Sequence, residues 1–170
     1  MTTLDNLRST TKLLMFDQYG TVVDMQGGLI EVATPYLKSK GWSGRPDAFV
    51  TWWRRTHFEN SMIDALLHRE HITYRRIGEI SVDYTLTRAG IEHTDEEVRF
   101  LVAQIEKLKP FPDVPAAMAR LHKHYKLAVL SNGDPDMLEA AKPYHGIAFD
   151  HIISVAAAGS FKRHGATYAK

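Results

Sequence analysis

The stretch KLLMFDQYGTVVD, Lys12 to Asp24, decides how the rest of the chain is read. The apolar residues Leu13 to Phe16 run into an acid without polar alternation, the pattern of a buried strand whose carboxyl end carries Asp17. Gly20 and Thr21 then signal a turn rather than more strand. A carboxylate leaving a buried strand is partly desolvated, and if a cation keeps it ionised it becomes a nucleophile. The same D-x-x-G-T pattern also suits an Asp that only caps a turn, and both readings stand at this point.

Working outward, two further runs share the form of the first. Lys126 to Ser131 (KLAVLS) is followed by Asn132 and Gly133, and Asp150 to Val155 (DHIISV) comes near the end. Between the first two runs the period becomes helical. Thr94 and Glu97 form a capping box ahead of Val98, Leu101, Val102, Ile105 and Leu108. Ile77, Ile80 and Tyr84 mark a second helix stopped by Gly90, and Phe49, Trp52 and Trp53 begin a third. After Pro110, Asp113 and Pro115 open a helix ending near Tyr125, and Asp134 with Pro135 opens another. Strand–helix–strand alternation argues an α/β fold with a parallel sheet. Ligands of such sheets gather at the carboxyl ends of strands, where Asp17, Ser131 and the residues after Val155 fall. The expected organisation is a Rossmann-like core of residues 1–25 and 109–170, interrupted by a helical cap of residues 26–108.

Composition narrows the chemistry. The 170 residues are 44% hydrophobic and 24% charged, with a net charge of +1, so no bulk field draws the chain to nucleic acid or membrane. Any anion must be held by a few local cations. The absence of cysteine removes disulfides, thiolate metal sites and a cysteine nucleophile, and fits a cytoplasmic protein. Met1 to Thr11 is polar and lacks the apolar core of a signal peptide, and no apolar run approaches the ~20 residues that span a membrane.

Three segments together carry a family resemblance. FDQYGTVVD (Phe16 to Asp24), LSNGD (Leu130 to Asp134) and FKRHGATY (Phe161 to Tyr168) resemble, in order, the first three motifs of the haloacid dehalogenase superfamily. The resemblance spans Lys12 to Tyr168. Phosphatases of the superfamily place an Asp two residues after the nucleophile to protonate a leaving alkoxide, whereas this chain has Tyr19. A halide leaves without a proton, so DQYGT resembles the L-2-haloacid dehalogenases (type II). WRRTHFE (Trp53 to Glu59) is similar to their segment with a halide-binding arginine, which implies Arg54. Arg54 on a solvated helix face is the plainer alternative; Arg55 is read as solvated.

The resemblance implies hydrolysis of L-2-haloacids to D-2-hydroxy acids through an ester on Asp17, with no cofactor and no metal. Thr21 orients Asp17, and Lys162 neutralises it. Ser131, with backbone amides near Gln18 and Tyr19, holds the substrate carboxylate, and Asn132 lines the pocket. Tyr168 matches a family tyrosine near the lysine. The implied partners are a small 2-haloalkanoic acid and a second copy in a homodimer.

Other residues are read more plainly. His68 and His71 have the spacing for a shared metal but belong to a solvated helix turn, lacking a third ligand. His122, Lys123, His124 and Lys126 make a basic patch at a helix end. Trp52, Trp53 and Phe58 are core candidates, one of which can line an apolar pocket, and Asp24 is structural.

Two departures from the family pattern stand out. Arg163 replaces the proline that usually follows the motif-three lysine, and with Gly165 it suggests a looser loop around Lys162. The family continues past the position of Lys170 into a fourth motif and further strands, so the expectation is a truncated core whose first strand lies at an open edge. The alternatives are a magnesium-dependent small-molecule phosphatase of the same superfamily, or an inactive remnant that associates through that edge.

Overall fold

The computed structural model describes residues 3–67, 70–162 and 164–169. The element order is α1 (Thr3–Thr10), β1 (Leu13–Phe16), α2 (Met25–Ser39), α3 (Pro46–Leu66), α4 (Tyr74–Arg88), α5 (Asp95–Ala103), α6 (Val114–Leu121), β2 (Lys126–Ser131), α7 (Pro135–His145) and β3 (His151–Ser154). The three strands form a parallel sheet in the order β1-β2-β3. Leu13 faces Lys126 and Phe16 faces Val129, while Ala128 faces His151 and Ser131 faces Ser154. This register brings the tips of β1 and β2 together, the geometry in which Asp17 and Asn132 share a rim.

β2 lies in the middle, and Leu127, Ala128 and Val129 are wholly buried on both faces, as a central parallel strand requires. β1 is less buried than its apolar run suggested. Leu13 is 40% and Met15 49% exposed on one face of the strand, while Leu14 and Phe16 on the other face are half-buried; among the described residues β1 pairs with β2 alone. Within the polar first segment, Thr3–Thr10 forms α1, whose Leu4 and Leu7 are exposed.

In the helical segment between β1 and α6, α5 follows the sequence and α4 departs from it in one face. The Thr94 capping box forms in both directions, and Val98, Leu101, Val102, Ile105 and Leu108 are all buried. α5 tightens into a 3-10 turn over Gln104–Lys107 before the chain returns to the sheet. α4 ends where Gly90 takes φ +68°, as expected. Its buried face, however, is Ile77, Gly78, Ser81, Val82, Thr85 and Leu86, while Ile80 and Tyr84 are exposed. Small residues let α3 and α4 approach closely: a Cβ on Gly78 would meet Val102 at 3.2 Å and His57 at 3.4 Å. The buried hydroxyls satisfy themselves, with Ser81 bonding the Ile77 carbonyl and Thr85 the Ser81 carbonyl, each at 2.7 Å. That seam is polar by composition yet carries no unpaired hydroxyl, so a hydrophobic period misses it.

The segment leaves and returns at one place. Asp24 N–H donates to the Lys109 carbonyl at 2.9 Å and Phe111 N–H to the Val22 carbonyl at 3.2 Å. Asp24 also accepts from Gly27 N–H at 2.8 Å and so starts α2, the structural role expected of it.

Candidate active site

Asp17 stands just past the end of β1, and its turn is built by one carbonyl. The Gln18 oxygen accepts from the N–H groups of Thr21, Val22 and Val23, at 3.4, 3.0 and 3.0 Å, folding the loop back under the strand tip. Gly20 has φ +88°, and a Cβ there would meet Arg54 Nη2 at 3.3 Å, so the position needs glycine both for its backbone and for the close approach of an arginine. Each oxygen of the Asp17 carboxylate has one partner. Lys162 Nζ donates to Oδ1 at 2.5 Å and Thr21 Oγ1 donates to Oδ2 at 3.2 Å. Its oxygens thus serve a hydroxyl of its own turn and a lysine distant in sequence, more than a turn cap alone requires.

The lysine itself is tied from β2. Asn132 Oδ1 accepts from Lys162 N–H at 2.8 Å, and Thr167 Oγ1 closes the following loop onto the Phe161 carbonyl at 3.0 Å. With Phe161 buried, these contacts hold Lys162 in place; Arg163, on which the expectation of a looser loop rested, lies outside the described residues. Arg54 comes from α3, on the opposite wall, and donates from Nη1 to Gln26 Oε1 at 2.7 Å. Asp17, Lys162, Arg54, Asn132 and Tyr19 all line one cavity of about 520 Å³. Its remaining wall is largely apolar, supplied by Phe58, Met62, Tyr74 and Phe161 among others.

Not every expected residue reaches this cavity. Ser131 is fully buried behind it, and its hydroxyl accepts from Gly133 N–H at 3.1 Å, which shapes the turn after β2. The Gln18 side chain is likewise buried and its carbonyl builds the β1 turn; the role expected of the backbone amides near Gln18 and Tyr19 stays with the proposal below. Tyr168 is 62% exposed at the end of a 3-10 turn, because Thr167 takes the inward position beside it. Arg55 is solvated as expected, paired with Glu59 at 2.7 Å, although it also borders the cavity mouth. Trp53 is core, Trp52 lies between Arg55 and Arg88 at the surface, and Phe58 lines the cavity. His68 lies outside the described residues, while His71 bonds Asp64 at 3.2 Å. The basic patch at the end of α6 is balanced by Asp150, which accepts from His122 at 3.0 Å, Lys126 at 2.7 Å and Leu127 N–H at 2.9 Å.

Three of the residues in or behind the site that the sequence left unmarked are Asp134, Tyr74 and His57. Asp134 opens α7 as the sequence implies, but its side chain makes no cap bond there; the carboxylate accepts from Tyr74 and Arg75 N–H, both at 2.9 Å. It thus satisfies the first amides of α4, where a helix favours negative charge. Arg75 returns the tie by pairing with Glu106 at 2.7 Å and with Asp136. Tyr74, so anchored, stacks on Tyr19 with ring centroids 5.5 Å apart and packs on His57 at 4.1 Å. Burial pushes the phenols of both tyrosines above their usual range. No local pattern signals an acid that caps a helix so distant in sequence.

His57 is the third. It is buried, neither ring nitrogen has a partner among the described residues, and burial pushes its pKa down to about 3. An unfolded histidine titrates near 6.5. Between these values the unfolded chain takes up a proton that the folded chain refuses, so lowering the pH through that window favours unfolding; above it His57 contributes nothing. The expected slope from this residue approaches ~1.4 kcal/mol per pH unit. Urea midpoints at pH 7 and pH 5 for the wild type and His57→Leu check this: the variant should lose less stability over the interval.

Among the described residues no helix is long and apolar enough to cross a membrane. A family model described as "haloacid dehalogenase-like hydrolase" matches residues 11–170. The chain is 33% identical to an (S)-2-haloacid dehalogenase of Xanthobacter autotrophicus, over 93% of this chain and 60% of that one. It is 28% identical to the (S)-2-haloacid dehalogenase of Pseudomonas sp. (strain YL), over 85% of this chain and 60% of that one. Its fold is similar to the structure of the Xanthobacter autotrophicus L-2-haloacid dehalogenase with chloropropionic acid covalently bound, at a TM-score of 0.82 and 31% identity, covering 94% of this chain and 63% of that chain. The chain thus spans about three fifths of the curated relatives it matches. Its three-stranded parallel sheet, the aspartate at the first strand tip and the match over nearly the whole length place the chain in the haloacid dehalogenase-like hydrolases.

Proposed function

We propose that this chain carries the displacement chemistry of an (S)-2-haloacid dehalogenase, with Asp17 as nucleophile. A carboxylate oxygen of Asp17 attacks C2 of an L-2-haloalkanoate, the carbon–halogen bond breaks, and the electron pair leaves with the halide. Water then attacks the ester carbonyl, frees a D-2-hydroxy acid, and returns Asp17, the surplus proton passing to solvent. Thr21 holds the second oxygen of Asp17, Lys162 pairs with the first, Arg54 receives the halide, and Asn132 holds Lys162.

One observation carries the reading: Asp17 is neutralised by Lys162, while Arg54 on the same cavity has no carboxylate partner among the described residues. The cavity therefore presents one uncompensated positive charge within a largely apolar wall, which suits a monoanion that gives up a halide. The phosphatase alternative needs a proton donor for its leaving alkoxide. Tyr19 occupies that place, but its hydroxyl lies against Gly133, and burial raises its pKa, so it is a poor acid. The division into a core of residues 1–25 and 109–170 and a cap of residues 26–108 belongs to the same proposal, supported by the paired exit and return at Asp24 and Lys109. So do the cytoplasmic location and the homodimer that the family resemblance implies.

Intact-mass spectrometry after incubation with L-2-chloropropionate tests the reading, with peptide mapping and a chloride assay in parallel. The expected result is chloride release together with a substrate adduct on Asp17 in samples quenched in acid during the reaction. Unmodified Asp17 and no free chloride would refute it.

A further inference from the structure

Arg54 is held by a neutral group. Its Nη1 donates to Gln26 Oε1 at 2.7 Å, and its Nε is buried without a partner among the described residues. Its Nη2 lies over Gly20, beside the loop that carries Asp17. Gln26 is itself fixed at its other end: Nε2 donates to Thr51 Oγ1 at 3.3 Å and to the Asp47 carbonyl at 3.4 Å. Thr51 Oγ1 in turn donates to the Asp47 carbonyl at 2.8 Å. An amide has one acceptor end and one donor end, so these bonds decide that the oxygen faces the arginine. Arg55, the next residue, is handled differently and spends its charge on Glu59.

A carboxylate is the usual partner of a buried or half-buried arginine, because a charged acceptor is the stronger one. Here it would defeat the site, since an Arg–carboxylate pair has no net charge left for an incoming anion. We infer that Gln26 is a positioning residue, which fixes the Arg54 guanidinium over the Asp17 loop while leaving its charge and its buried Nε for the departing halide. The inference rests on the dehalogenase reading above and extends it to a residue that touches the arginine.

Glu is isosteric with Gln and keeps the acceptor, so Gln26→Glu separates charge from shape. Chloride NMR line broadening on the intact chain reports anion binding without any turnover. The expected result is a chloride dissociation constant raised at least about tenfold in Gln26→Glu, as a neighbouring negative charge at low effective dielectric demands. Its melting temperature should stay close to that of the wild type, because the new ion pair with Arg54 offsets the lost Nε2 donations to Thr51 and the Asp47 carbonyl. Gln26→Met, which keeps bulk and removes the acceptor, should weaken chloride less than Gln26→Glu does. Equal chloride affinity in wild type and Gln26→Glu overturns the inference, as does an affinity loss that merely follows a fall in melting temperature. Adduct formation on Asp17 in the wild type judges the underlying reading separately, so the inference can fail while the dehalogenase chemistry stands.

Discussion

Asp17→Asn should abolish capture of L-2-chloropropionate, lowering the rate of adduct formation by at least about a thousandfold. The amide oxygen is neutral and far less nucleophilic than a carboxylate, and the substitution removes the anion that Lys162 was placed to balance. The local geometry should survive. An Asn can still accept from Lys162 through its oxygen, and Thr21 can reverse its hydroxyl to accept from the amide nitrogen. Asp17 is 44% exposed at its side chain, so loss of the ion pair is screened and stability should change by less than about 1 kcal/mol. Intact mass measures the first effect and a urea transition the second. Persistent alkylation in the variant at the wild-type rate would move the nucleophile elsewhere. A large stability loss would mean that the Asp17–Lys162 pair is there to hold the sheet end together rather than to react.

Lysine and aspartate meet across most of the length of the chain, and the sequence made that meeting legible because each follows a recognisable strand end or motif. The strands, the capping box at Thr94 and the stop at Gly90 were equally open to reading, since each is decided by residues within a few positions. What failed to show was every feature settled by distant neighbours. Asp134 has a helix of its own to cap and caps α4 instead, because the rim of β2 lies against the start of α4. Ile80 and Tyr84 look like a core face, yet α4 turns Ser81 and Thr85 inward, where back-bonded hydroxyls pack closely on α3. Gln26 follows an N-cap and a buried methionine and carries no local mark of its contact with Arg54. Ser131, a strand-end hydroxyl in a motif, also serves its own turn, where it accepts from Gly133 N–H.

The same dependence on distant packing makes Trp53→Ala the most damaging core substitution expected here. Trp53 is completely buried on α3, immediately before Arg54 and one turn before His57. Truncation to alanine removes the largest fully buried side chain among the described residues and should cost about 3–5 kcal/mol, a sizeable part of an ordinary domain's stability. Trp53→Phe should cost much less, about 1–2 kcal/mol: most of the ring stays, and the indole Nε1 has no partner among the described residues to lose. Urea unfolding with linear extrapolation distinguishes the two. The comparison also reaches the cavity. Trp53 anchors the turn of α3 that aims Arg54, so Trp53→Ala should weaken chloride binding even at temperatures where the variant remains folded, whereas Trp53→Phe should retain it. Equal stability losses in the two variants would mean that the indole N–H has a partner in solution. Intact chloride binding in a folded Trp53→Ala variant would mean that Gln26 and the Gly20 loop suffice to hold the arginine without the core beneath it.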